Sequence, residues 1–476
     1  MKKILIYNWI TFDEKENKGG GVTVYTNNIM KNLCTDTEVE LYFLSSGRAY
    51  NRERKDTYIE EVANIYGDKC KSYQVVNSPV LSSARVMFPF LEDYLKDRVL
   101  KEVIRDFLVQ IGEVDVIHFQ NLEGLSLSVL ELKDEFPNTK FIYSLHNYFP
   151  FCPAVMLWKE DKENCPEISC NEECVKCMQK DIYKFKVKYN QSIAYQSLHQ
   201  KVSKWDLWKQ KFYETVCAYH SKVFRKEYSK RKIAQFGETF AEFQKQNIAY
   251  INRYMDCVLA VSERVAEIAI AKGLNRDKIS VSYIGSDVAA IQKGKTSYPY
   301  DGECFNIAYL GYMRAAKGFY FMLEALENLD KNIAEKVSVT FATKITDNIA
   351  KERIEKLKDT FADVKLYDGY SRDSLEEILS NVQLGVVPVL WEDNLPQVAI
   401  EMKAYGIPVL TSHLGGAKEL TDSEKFVFEA GNQKEFLEKI TAFVNQDISL
   451  DEYWHNSSRI SSMEEHIKQL KENYYK

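Results

Sequence analysis

LGVVPVLWEDNLPQVAIEMKAYGIPVLTSHLGGAKEL, residues Leu384–Leu420, decides how the chain is read. Leu384 to Val389 make an apolar run of the length of a buried parallel strand. The loop WEDNLP follows, and Pro396 stands where a first helical turn begins and needs no N–H. Gln397 to Tyr405 fill that helix, Gly406 ends it, and Ile407 to Ser412 form the next strand. Open sheets built from such units bind ligands outside the carboxyl ends of their strands. Asp393 lies on that loop, and Glu401 lies eight residues on, inside the helix. Asn394 and Leu395 place backbone N–H groups at a helix N-terminus, which suits a phosphate or a sugar hydroxyl. Gly415 and Gly416 open a second loop where backbone can approach a ligand. The alternative is that Asp393 merely caps the helix and Glu401 is a solvated helix residue.

The same unit recurs on either side. FNIAYLGYMRAAKGFYFMLEAL (Phe305–Leu326) is a strand, a basic loop with Arg314 and Lys317, then Gly318 and a helix. Positive charge and a helix N-terminus there both favour phosphate. Lys344 ends the strand VSVTFATKI and Tyr370 follows the strand VKLYDGY. In the first half, KKILIYNWI reads as a strand, Gly19, Gly20 and Gly21 as a loop, and VTVYTNNIMKNL as a helix. The glycines read either as a flexible turn or as an anion nest, without the dinucleotide fingerprint, because they are consecutive and the loop is long. VELYFLSS, YQVVNS, DVIHFQ and KFIYSLHN are further strands; a helix over about 97–111 and a second in LSLSVLELK lie between them. His118 and His146 stand at the carboxyl ends of two of these strands. After MDCVLA, Ser262 reads as the N-cap of a helix, and KISVSYIGSDV closes the first half. Alternating strands and helices predict an α/β protein of two doubly wound, Rossmann-like domains facing a cleft. The expected division is 1–288, a hinge over 288–303, a second domain over 303–450, and one amphipathic helix over 451–476.

Composition narrows the function. With 476 residues, 45% hydrophobic and 28% charged, the chain has room for two or three domains with sizeable cores. A net charge of −6 gives no global sign of nucleic-acid binding. No run reaches the apolar length of a membrane span, and the N-terminus lacks a small-residue cleavage site, so a cytoplasmic protein is expected.

At these motifs the sequence resembles the retaining GT-B glycosyltransferases of family four, the glycosyl transferase group 1 type. That family carries a Glu, seven residues and a second Glu; here Asp393 takes the first place and Glu401 the second. Lys317–Gly318 match the family's Lys-Gly, whereas Tyr312 stands where it has an Arg, leaving that part to Arg314. IGSDV approximates its Asn-Gly-Val-Asp-like turn. The resemblance implies a GT-B fold whose last helix crosses back onto the first domain. It also implies transfer of a sugar from a nucleotide-diphospho-sugar to a hydroxyl, with the anomeric configuration retained. Arg314, Lys317, Gly318 and loop amides would then hold the diphosphate, and Glu401 the ribose. Asp393 and the Asn394–Leu395 backbone would hold the sugar, with Gly415 and Gly416 beside them, and His146 the reacting face. Gly20 and Gly21 would lie by the phosphates and the acceptor, Lys344 near the nucleotide, and Tyr370 against the base. Catalysis would need no cofactor, since basic side chains neutralise the diphosphate and no Asp-x-Asp pair sits at a strand end. The implied acceptor is a glycan or polyprenyl-linked intermediate, in bacterial surface polysaccharide biosynthesis. A non-catalytic nucleotide-sugar scaffold and a GT-B sugar-nucleotide epimerase are the rival readings.

The stretch 152–252 matches the family poorly and reads as an insert. Cys152, Cys165, Cys170, Cys174 and Cys177 crowd its first part. Cys165, Cys170, Cys174 and Cys177 offer four soft ligands for a structural zinc ion; the alternative is reduced thiols packed in a loop. From 178 to 232 there are fourteen Lys or Arg against four Asp or Glu, interleaved with aromatics. Three readings stand for that segment. One is a helical hairpin with solvated lysines, one a peripheral contact with an anionic membrane at the inner face of the plasma membrane, and the last, least favoured, a grip on single-stranded nucleic acid.

Overall fold

The computed structural model describes residues 1–13, 20–51, 53–84, 91–166, 168–178 and 230–476, together with Trp208 and Thr215. The expectation for 178–232 therefore falls almost wholly outside the described residues.

Two sheets organise the chain. The first contains β1 (Lys2–Tyr7), β2 (Val39–Ala49), β3 (Tyr58–Val62), β4 (Lys71–Val76), β5 (Val116–Phe119), β6 (Lys140–Leu145), β9 (Cys257–Ala260) and β10 (Ile279–Val281). Their spatial order is β10-β9-β6-β5-β1-β2-β4-β3. Every pairing is parallel except β3 with β4. A small antiparallel pair, β7 (Trp158–Lys159) and β8 (Glu163–Asn164), belongs to the cysteine-rich insert. The second sheet contains β11 (Phe305–Tyr312), β12 (Val337–Lys344), β13 (Asp363–Asp368), β14 (Leu384–Val387), β15 (Val409–Ser412) and β16 (Val427–Phe428), all parallel in the order β13-β12-β11-β14-β15-β16. Parallel neighbours need crossover connections, and those helices cover both sheet faces. That is why β14 is buried along its length and β12 at every position but Lys344. In both sheets the order turns back beside the first strand, so each lobe presents a binding crevice at its carboxyl edge. The fold is the α/β, doubly wound arrangement expected from the alternating pattern.

Several elements differ from expectation for identifiable reasons. Gly20 and Gly21 do not form a loop before the helix; they open it, in helix Gly20–Leu33, with Gly20 at φ +58°. β3 was not anticipated, because YIEEV is a half-exposed sheet edge with no apolar run. The tail is not one helix. A 3₁₀ turn at Leu450–Trp454 is separated from helix Met463–Gln469 by the Ser- and Asn-rich segment HNSSRISS, whose side chains compete for backbone groups. Ser462 and Glu465 form a capping box that restarts the helix. From there the tail lies on the first lobe: Tyr25 Oη meets His466 Nε2 at 2.6 Å, and Tyr475 Oη meets His118 Nδ1 at 2.6 Å. The segment after Asp287 is tied to the second lobe, with Ser297 N–H donating to Gly406 O at 2.8 Å.

Candidate active site

The second lobe brings its charged groups to the carboxyl edge of β11 and β14. The loop after β11 must turn sharply into helix Phe319–Glu327, and Gly318 makes the turn at φ +73°. A Cβ there would lie 1.7 Å from the Pro388 carbonyl, so no other residue fits. The turn delivers Lys317, whose Nζ donates to Asp393 Oδ2 at 2.5 Å and sits 5.3 Å from the Trp391 ring centre. Lys317 keeps 29% of its side chain exposed against 9% for Asp393, so the cation forms the open face of the pair. Asp393 is fixed from behind: its carbonyl accepts Gly416 N–H at 2.9 Å, and a Cβ on Gly415 would reach within 2.2 Å of that carbonyl.

Glu401 lies in helix Gln397–Ala404, where its Oε2 accepts the Tyr370 hydroxyl at 3.1 Å. Burial raises the Glu401 pKa, against the lowering effects of Tyr370 and Arg372. The Tyr370 hydroxyl is thus engaged by the carboxylate assigned to ribose. Lys344 is exposed and paired with Asp368, 3.3 Å away, on the same rim. Arg314 is exposed as well, its guanidinium 5.3 Å from the Tyr312 ring centre. Pro396 is the residue capping the helix and not its first member; Asn394 and Leu395 before it are buried.

The first lobe answers with neutral groups. His146, just past β6, meets Gln120 Oε1 through Nε2 at 2.9 Å and packs edge-on against Tyr25. Burial, with a smaller contribution from His466, pushes its pKa down to about 3, so the ring is neutral at ordinary pH. Asn8, Gln120 and Asn121 lie at the ends of the adjacent strands β1 and β5. Asn8 Nδ2, Gln120 Nε2 and Asn121 Oδ1 are buried without a partner. His118 is excluded from chemistry: Ser144 and Tyr475 occupy its two nitrogens and it is fully buried. The lobes meet where Gln397 Nε2 donates to Gly21 O at 3.3 Å, which sets the start of helix Gly20–Leu33 against the start of the Glu401 helix.

The five cysteines of the insert lie close together. Cys152, Cys165, Cys174 and Cys177 line one small apolar cavity with Trp158, while the Cys170 thiol turns to the Phe151 carbonyl at 3.2 Å. Among the described residues, no group of three or more His, Cys, Asp or Glu is arranged to hold a metal ion. Cys170 stays beside this group, its thiol in side-chain contact with Cys174 as well as with the Phe151 carbonyl.

Residues 304–446 match the family described as "Glycosyl transferases group 1". That match spans most of the second lobe and leaves the first lobe outside it. No curated protein matches the chain by sequence. Among solved structures, Anabaena HepE in complex with UDP and glucose superposes with a TM-score of 0.54 at 14% identity, covering 99% of each chain. The lipopolysaccharide outer core galactosyltransferase WaaB reaches 0.57 at 12% identity over 99% of this chain and 98% of its own. A sucrose-phosphate synthase from Thermosynechococcus elongatus reaches 0.56 at 14%, over 100% and 98%. These neighbours show the GT-B fold over the whole chain, and together with the match over 304–446 they support a glycosyltransferase.

Sequence reasoning missed the partners of the loops after β14 and β15. Glu392 pairs with Arg264, and Glu419 with the start of helix Glu263–Ala271, across the gap between the lobes. Both carboxylates were visible, in WEDNLP and GGAKEL, but their partners lie more than a hundred residues away.

Proposed function

We propose that the protein transfers a sugar from a nucleotide-diphospho-sugar to a hydroxyl acceptor with retention of configuration. The observation that carries this is the half-open Lys317–Asp393 pair on the same crevice as the Glu401–Tyr370 pair. A departing diphosphate brings negative charge to Lys317, and Arg314 at the rim adds to it. Stabilising charge that develops on a leaving group is the largest single contribution such sites make. Glu401 accepts hydrogen bonds and suits ribose hydroxyls. Asp393 and Asn394 face the position of the sugar, and Gly20, Gly21 and His146 close the crevice from the other side. The neutral His146 orients a hydroxyl without adding charge next to a cationic transition state.

HepE, described in complex with UDP and glucose, and WaaB, described as a lipopolysaccharide outer core galactosyltransferase, favour a uridine donor and a surface-glycan acceptor. A lipid-linked intermediate is the acceptor we propose to test first. Among the described residues no helix is long and apolar enough to cross a membrane. A peripheral contact would therefore fall to the basic 178–232 segment.

A panel of nucleotide sugars should reveal one donor that is slowly hydrolysed, with the activity lost in Lys317→Ala and Glu401→Ala. NMR of the released or transferred sugar should show the donor's own anomer first; the opposite anomer refutes retention. Binding without turnover on any acceptor would instead mark a scaffold, and interconversion of donors an epimerase.

A further inference from the structure

The donor loops of the second lobe are gripped by the first. Helix Glu263–Ala271 points its N-terminus at loops 392–395 and 415–419. Ser262 Oγ donates to the Asn394 carbonyl at 2.7 Å. Arg264 forks onto Glu392, Nε to Oε2 at 3.0 Å and Nη2 to Oε1 at 2.6 Å. Glu392 Oε2 also accepts Gly415 N–H at 3.0 Å, so one guanidinium, through one carboxylate, ties both loops together. Glu419 accepts the N–H groups of Glu263 and Arg264 at 2.9 and 2.8 Å, and the Tyr283 hydroxyl at 2.9 Å. A carboxylate from one lobe thus caps a helix of the other, where the dipole favours it. The seat is tight: a Cβ on Gly416 would lie 2.8 Å from Ser262 Cβ. Within this frame lie Asp393 and Asn394, and Asn394 Nδ2 is buried with no partner, a donor left for a ligand.

We propose that Arg264 is a positioning residue for the nucleotide-sugar, acting through Glu392 and assisted by Glu419. It sets the Asp393–Asn394 loop against the Gly415–Gly416 loop, so that donor binding requires the first lobe to be seated. Glu392 immediately precedes Asp393, and a shift of its carboxylate moves the backbone that carries Asp393 and releases Gly415. A planar two-pronged contact is needed for this, and an ammonium cannot reproduce it. The inference rests on the reading above, that these loops take a nucleotide-sugar.

Calorimetric titration of the full-length protein with UDP, UDP-glucose, GDP and ADP tests it. Wild type should bind at least one, and Arg264→Ala should bind that probe tenfold more weakly or worse. Arg264→Lys should recover only part of the loss. With the active donor, Arg264→Ala should raise the donor KM and leave the acceptor KM unchanged, a split that general destabilisation does not produce. Glu419→Gln serves if Arg264→Ala fails to fold, and should weaken the same probe severalfold. Should wild type bind none of the probes, the functional reading falls and this inference with it. Should wild type bind while the folded variants bind equally well, the inference alone is overturned.

Discussion

The two walls of the crevice are built on different principles. The donor wall is charged and already paired within itself: Lys317 with Asp393, Lys344 with Asp368. The facing wall is neutral, made of His146, Gln120, Asn8 and Asn121, and several of its polar atoms have no partner. Charge needs charge when it leaves water, so a wall made for a diphosphate carries its own counter-ions until ligand arrives. A hydroxyl asks only for neutral donors and acceptors, and a wall made for it can leave some unmet. The proposed reading assigns leaving-group chemistry to the first of these walls and acceptor recognition to the second.

The comparison breaks first at Lys317. Lys317→Ala should lower kcat/KM by about 10²–10³-fold, or roughly 2.7–4 kcal/mol; a loss below tenfold in steady-state kinetics would mean the diphosphate is held elsewhere. Gly318→Ala forces a side chain into the Pro388 carbonyl at positive φ and should cost about 2–4 kcal/mol in denaturant melts. Gly20→Ala, with open space around it, should cost only about 1–2 kcal/mol. Equal losses at the two glycines would deny that the donor loop is the constrained one.

The neutral wall makes its own prediction in pH. His146 has a folded pKa of about 3 against an ordinary 6.5, so below pH 6.5 the unfolded chain binds a proton that the folded one refuses. Its contribution is complete above pH 6.5 and is lost as pH falls toward 3, at up to about 1.4 kcal/mol per pH unit. His118, lowered to about 3, and His466, lowered to about 4, act in the same direction. Urea midpoints should therefore decline below pH 6.5, and His146→Gln should shallow the decline; identical slopes would show that His146 is charged in the fold. The smallest effect is expected at Gln120→Ala, about fivefold in acceptor KM, the worth of one neutral hydrogen bond. An unchanged acceptor KM beside an altered donor KM would reverse the assignment of the two walls.

Much of this was readable in advance. The apolar runs at β11 and β14, with loops and helix starts in register behind them, announced parallel sheets, because strands covered on both faces have no polar side to show. Lys317 and Asp393 were named from the pattern, and the structure brings them into contact across 76 residues. Glu401 and Tyr370 were assigned to ribose and base separately, and the fold joins them by a hydrogen bond. The division of the tail was harder to read, since a capping box at Ser462 competes with an otherwise helical pattern. Spacing along a loop did not say which thiol lines the Trp158 cavity and which meets a backbone carbonyl.

By itself, the sequence determined the α/β class, the two lobes and the chemical kind of each loop, since those follow from local periodicity and from which side chains sit at strand ends. Only the tertiary structure decided that Arg264 meets Glu392, that Glu419 caps a helix of the opposite lobe, and that His118 is walled in by the C-terminal Tyr475. Those contacts join residues more than a hundred positions apart. No local pattern encodes them, because they exist only once both sheets have formed and their carboxyl edges face each other.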